Sequence, residues 1–224
     1  MKFILAVFAI FRKDLLGERR SSTTLGAMMV FALIVILVFA FAFNLSVEGR
    51  RDVATGVIWV TICFAGTLGL DRTLAQEKES DAMDGLMLSP VDRTAIFFAK
   101  VLVNWFYLGV CALFVVFFYS LFNNIHLFNF AFFGVILLGT LGYILTGTLL
   151  ATIAQQLNTR GGLLLPVLLF PLIIPLVLAA VNASERILGG DPGGELGRWI
   201  ALLIGYDLLF LAVGILFYDK ILED

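Results

Sequence analysis

The residue types that carry covalent or metal chemistry are scarce in this chain. His126 is the only histidine among 224 residues, so no histidine-dependent triad and no multi-histidine metal site can be built. Cys63 and Cys111 lie in separate apolar runs, at no metal-ligand spacing, and read as packed apolar thiols. No Gly-Lys pair occurs, so the lysine-tipped loop that cradles nucleotide phosphates is absent, as are HExxH, GxSxG and CxxC patterns. If the protein uses ATP, another subunit must bind it. No charged pair lies within an apolar run, and intramembrane charges are the usual mark of chemistry or proton relays in lipid. A membrane enzyme is therefore disfavoured. His126 is a weak candidate for haem contact, since a neutral imidazole ligates haem iron; an amphipathic anchor at a membrane interface is the plainer reading.

The other stretch with functional potential is DRTLAQEKESDAMDGLMLSPVDRTAIFFAK, running from Asp71 to Lys100. Leu70, Leu74, Ala82 and Leu86 fall at multiples of four, with Met83 and Met87 beside them, which is the stripe of an amphipathic helix. Gly85 weakens such a helix, and Pro90 ends it just after Ser89. Over residues 71–93, six acids (Asp71, Glu77, Glu79, Asp81, Asp84, Asp92) face three bases (Arg72, Lys78, Arg93). The spacing predicts a short helix lying along the membrane and shaped to plug into a partner. An ordinary solvated loop is the competing reading.

The surrounding elements follow from composition. The chain is 61% hydrophobic and 14% charged, with a mean hydropathy of +1.02. A water-facing domain is nearer 45–50% apolar and about 25% charged, so lipid is the solvent for much of this chain. A membrane helix needs about 20 apolar residues, and six stretches qualify: 25–43, 53–70, 101–122, 127–154, 163–181 and 199–218. The expected fold is an all-α polytopic membrane protein, one transmembrane domain over 1–224. Residues 3–11 are apolar but too few to span, and basic residues follow rather than precede them, the reverse of a secretory signal. Residues 1–20 are thus expected to form an interfacial helix.

Within the fifth span, Pro166, Pro171 and Pro175 each lack a backbone donor and are hinge candidates; a static kink is equally open. The glycines of 189–194 suggest a tight loop or a re-entrant hairpin. Ala65, Gly69, Gly139, Gly142, Gly147 and Ala151 form small-residue faces that let helices approach closely, by internal packing or at a homodimer seam. Eleven Lys and Arg (Lys2, Arg12, Lys13, Arg19, Arg20, Arg72, Lys78, Arg93, Lys100, Arg160, Lys220) fall on one side of this topology. Arg50, Arg51, Arg186 and Arg198 fall on the other. The positive-inside rule puts both termini in the cytoplasm. Arg50, Arg51 and Arg186 then face outward, where haem propionates or an acidic partner are conceivable and simple solvation is plainer. The net charge of −2 gives no footprint for nucleic acid.

Three runs carry a resemblance. Glu77-Lys78-Glu79, Asp84-Gly85-Leu86-Met87-Leu88-Ser89-Pro90 and Ala99-Lys100-Val101 resemble the signature region of haem exporter protein B, the CcmB permeases among the ABC-2-like exporters. The block GTLLATIAQQLNTRGGLLLPVLLFPLIIPLVLAAV, residues 147–181, resembles that family's fourth and fifth spans. The resemblance implies a permease of the bacterial inner membrane that works with a CcmA-like ABC ATPase subunit. It also implies a CcmC-like haem-handling membrane protein, a CcmD-like single-span protein and a second copy of the chain. Residues 71–92 would be the coupling loop, with Glu77, Lys78, Glu79, Asp84, Gly85, Leu86, Leu88, Ser89 and Pro90 docking into the ATPase. No cofactor is expected on this chain; ATP belongs to the partner, and haem is the possible substrate. A permease for a drug or lipid-linked glycan, or a scaffold without energy coupling, remain the alternatives.

Overall fold

A computed structural model describes residues 2–21, 23–41, 47–79, 92–156, 164–191 and 193–221. They form seven helices: α1 (Lys2–Ser21), α2 (Thr23–Phe41), α3 (Val47–Glu79), α4 (Arg93–Asn123), α5 (Phe130–Gln156), α6 (Leu164–Gly189) and α7 (Leu196–Ile221). No strand occurs among the described residues. Helices α2 to α7 are each long and apolar enough to cross a membrane. In hydrocarbon each backbone group must be satisfied within its own segment, which only a helix or a closed barrel achieves. The chain is an all-α, multi-pass membrane protein.

Several helices outrun their apolar stretches because polar residues cap or extend them. Asp92 accepts from the Thr94 amide at 2.9 Å and starts α4 eight residues before its apolar run. At the other end of α4, Asn124 adopts a left-handed conformation (φ 53°), and its amide bonds back to Ser120. The described residues of 189–194 form a tight turn, in which the Gly194 amide donates to the Asp191 carbonyl at 3.2 Å. Gly190 and Gly194 take positive φ (89° and 64°), and the Asp191 carboxylate accepts from the Glu195 and Leu196 amides, each at 3.0 Å, capping α7.

Helix α3 packs against α2, α4, α5 and α6, while α5, α6 and α7 pack on one another as a trio. The small residues serve these internal contacts. A Cβ at Gly139 would collide with the ring of Trp59, at Gly66 with Tyr143, at Gly69 with Met28 and at Gly147 with Leu70. Trp59 is 1% exposed and donates its indole N–H to Ser184 Oγ at 3.0 Å, joining α3 to α6. The Tyr143 hydroxyl donates to the Cys63 carbonyl at 2.7 Å and shares a 2.6 Å contact with the Thr67 hydroxyl, joining α5 to α3. Both cysteines are buried and unbridged, as their apolar surroundings implied.

Helix α1 forms without a break over the length expected for an interfacial helix. It lies alongside the first half of α4: Phe3 meets Phe98 edge-on at 6.0 Å and Phe11 meets Phe106 at 6.5 Å. Further along, Tyr107 donates to the Asp14 carbonyl at 3.2 Å. Ile10 is buried against this wall, whereas Ile4, Leu5 and Phe8 remain exposed.

Candidate functional site: the charged end of the bundle and an acid at mid-span

Two pairs of helix ends are fastened on the two sides of the predicted coupling segment in the sequence: α3 to α2 before it and α4 to α7 after it. The first nine of its residues do not begin a new helix; they continue α3 to Glu79. Its remainder, residues 80–91 with Asp84, Gly85, Leu86, Leu88, Ser89 and Pro90, lies outside the described residues, so its expected helix is neither drawn nor denied. What can be built is the frame on either side. On the α3 side, Arg72 donates to the Thr23 carbonyl at 3.2 Å and Gln76 to the Thr23 hydroxyl at 2.8 Å, fastening α3 to the start of α2. On the α4 side, Arg93 pairs with Asp219 at 3.3 Å and also donates to its carbonyl, fastening α4 to the end of α7. Asp92 tightens that start through the amide and hydroxyl of Thr94.

Two to three turns further along α4, Lys100 and Asn104 are buried between α3 and α5, Lys100 at 6% exposure. Thr73 bridges to Asn104 at 3.3 Å. A cavity of about 10 Å³, the room for one water, is bounded by Thr73, Lys100, Asn104, Thr148 and Thr152. Thr73 satisfies Asn104, while the buried Thr148 hydroxyl beside the cavity has no partner among the described residues, and a water held there would offset that cost.

The remaining sequence candidates are scattered. Pro166 sits in the first turn of α6, where backbone donors have no helical partner, so it removes nothing from the ladder. Pro171 and Pro175 lie inside the helix, and the hinge reading rests on them. Pro171 also borders an apolar groove of about 480 Å³ between α3 and α6, with Val60, Phe64, Phe170 and Ile174. His126 is exposed in the α4–α5 connection, far along the chain from the charged end. No cluster of three or more His, Cys, Asp or Glu fit for a metal occurs among the described residues. Two of the arginines expected to face outward have partners within the chain. Arg51 donates to the Leu188 carbonyl at 2.7 Å, and Arg186 pairs with Glu195 at 2.6 Å and Asp191 at 3.9 Å.

Sequence reading passed over Asp207. It lies in the apolar run of α7, is 7% exposed, and neither carboxyl oxygen has a hydrogen-bond partner among the described residues. Its side chain fills the space left by the missing Cβ of Gly142 on α5. The signal was present: a lone acid inside a span, missed because attention fell on charged pairs.

Likeness to known proteins extends along nearly the whole chain. The chain is 28% identical over 198 residues to Heme exporter protein B of Rhodobacter capsulatus, covering 88% of this chain and 89% of that one. It is 27% identical over 212 residues to Heme exporter protein B of Bradyrhizobium diazoefficiens, covering 93% of each. With Heme exporter protein B of Paracoccus denitrificans, identity is 30% over 189 residues, 82% of this chain and 85% of that one. The family profile described as CcmB protein matches residues 5–218, and the chain belongs to that family.

Proposed function

We propose that this chain is the membrane permease subunit of an ABC-type haem exporter complex of the bacterial inner membrane. It couples ATP hydrolysis in a partner subunit to the delivery or release of haem for cytochrome c maturation. The observation that carries this reading is family membership over residues 5–218, together with relatives named Heme exporter protein B. The chain contributes no nucleotide chemistry of its own. Its partners are a CcmA-like ATPase subunit, a CcmC-like haem-handling protein, a CcmD-like single-span protein and a second copy. Both termini face the cytoplasm.

In this mechanism residues 71–92 take the push. Glu77, Lys78, Glu79, Asp84, Gly85, Leu86, Leu88, Ser89 and Pro90 dock on the ATPase, and nucleotide-driven closure displaces the segment. The frame then distributes the displacement. Arg72 and Gln76 pull on α2 through Thr23, and Arg93 pulls on α7 through Asp219. Such a push changes the populations of states only if the ATP-bound and free partners interact with this segment with different free energies. Pro171 and Pro175 give α6 the two places where the spans bend.

Haem staining of periplasmic c-type cytochromes in a strain lacking the gene tests the reading. Loss of covalent haem, restored by the intact gene, is expected; normal cytochromes would leave a permease for another substrate. Glu77→Lys and Pro90→Ala are expected to insert and assemble but to separate ATP turnover from haem delivery. If both variants support wild-type cytochrome levels, the coupling role of this segment is wrong.

A further inference from the structure

Asp207 lies about 17 Å along α7 from its first residue and about 21 Å from its last, at the helix rise of 1.5 Å per residue. That is near the middle of a hydrocarbon layer about 30 Å thick. The carboxyl is 7% exposed and turned toward α5, where it meets Gly142 at the same point as Leu176 of α6 and the Tyr206 ring. Gly142 is what makes the position possible, because a Cβ there would displace the carboxyl. None of the groups around it is a cation. From α5 come Gly142 and the Thr146 hydroxyl, which is engaged with Tyr206 at 2.9 Å. From α6 come Leu176 and the Leu172 carbonyl, which accepts from Tyr206 at 3.2 Å. Tyr206, the preceding residue, is a titratable neighbour at the same seat. Helix α4 reaches α7 farther down, from about 10 Å of helix away, through Phe97 at Gly214 and against Tyr218, and through Arg93 against Asp219.

A carboxylate at this place would be a buried charge without a counter-ion or a hydrogen bond, which proteins avoid by keeping the group neutral. A neutral carboxyl left without partners is itself unfavourable, so the arrangement is suited to a conformation that gives way to another. We propose that Asp207 is an intramembrane proton-binding site, holding a proton in this conformation and losing it to water when the α5–α6–α7 junction opens. The O–H bond of the carboxyl breaks, the proton passes to entering water, and the carboxylate is left hydrated. The junction is built to move. Tyr206 ties α7 to the Leu172 carbonyl, which lies between Pro171 and Pro175, so a bend of α6 at those prolines changes the tie and shifts Leu176 off the carboxyl.

The test is infrared spectroscopy of the full chain, purified with whatever partners it retains and held in lipid nanodiscs. It does not depend on which substrate is exported. A carboxylic acid C=O band that Asp207→Asn removes is expected, weakening as the medium is made alkaline and shifting when the sample is exchanged into deuterium oxide. Asparagine is close in size and neutral, so this variant should insert and fold as the parent does. In parallel, dicyclohexylcarbodiimide, which forms a stable acylurea with a protonated carboxyl in an apolar site, should label the peptide containing Asp207 in the parent only. Absence of both the band and the adduct overturns proton binding. A band that neither weakens with alkali nor shifts in deuterium oxide overturns release to water.

Discussion

Helices α3 and α7 are both long, apolar and membrane-crossing, yet the protein uses them in opposite ways. In the apolar stretch of α3, 72% of residues are buried inside the bundle, against 17% in that of α7. Helix α3 is enclosed by α2, α4, α5 and α6, and bulky side chains enter glycine seats along it. Helix α7 turns Leu208, Leu209, Leu216 and Phe217 to the outside of the bundle and keeps only a narrow buried seam, with Asp207 against α5 and α6 and with Gly214 and Tyr218 against Phe97 of α4. Lipid tails are as apolar as leucine, so hydropathy carries no preference between these roles. What separates them is small residues and hydrogen bonds: α3 is locked by shape, whereas α7 is held at its seam and its two ends. A locked helix suits a lever, and a lightly held one suits a part that shifts.

The comparison breaks first if Trp59, the largest wedge on α3, proves dispensable. Trp59→Ala removes the ring seated on Gly139 and the bond to Ser184. We expect a loss of about 3 kcal/mol, the low end for Trp or Phe to Ala in a core, because the unfolded reference here is also in apolar surroundings. Phe217→Ala on the open face of α7 should change stability by less than about 0.5 kcal/mol. Denaturant unfolding of both variants in the same micelles checks the pair, and equal losses would mean that the two helices are held alike.

Much of this was legible beforehand, for identifiable reasons. Each span was read from an uncharged run, since lipid leaves an apolar chain few alternatives to a helix. The errors lie at the ends and at single polar residues. Val53 and Leu70 mark the apolar run of α3, but the helix reaches Glu79, because in water nothing stops a helix at Asp71 when Arg72 and Gln76 have partners on α2. For Arg51 and Arg186 simple solvation was the plainer reading, and their partners, the Leu188 carbonyl, Asp191 and Glu195, were not legible because they are set by tertiary packing and by a turn. Internal packing and a dimer seam were indistinguishable for Gly139 and Gly142 until Trp59 and Asp207 were seen to fill them. The contacts of Lys100 and Asn104 depend on α3 and α5 coming together, which periodicity within one helix does not encode.

A smaller effect is expected on the α7 side. Tyr206→Phe deletes the hydroxyl that joins α7 to Thr146 of α5 and to the Leu172 carbonyl of α6. Hydrogen bonds between membrane helices are worth about 0.6 kcal/mol on average and up to about 1.7. The loss should fall in that range and should loosen α7 rather than unfold the bundle. Hydrogen exchange in α6 and α7 rising above that in α3 would agree; a uniform rise across all three would show that α7 is as integral as α3.

The smallest effect belongs to the fastening at the charged end, where Arg93 meets Asp219 at 3.3 Å with both side chains substantially in contact with solvent. An exposed pair of this kind contributes about 0–1 kcal/mol and is weakened by salt. A double-mutant cycle of Arg93→Ala and Asp219→Ala should therefore give a coupling energy below about 1 kcal/mol, declining as ionic strength rises. A contact of such small energy is suited to be made and broken where the start of α4 meets the end of α7. A coupling well above that limit and unaffected by salt would mean a rigid clamp, and α7 would then be fixed at its end in the way that α3 is fixed along its length.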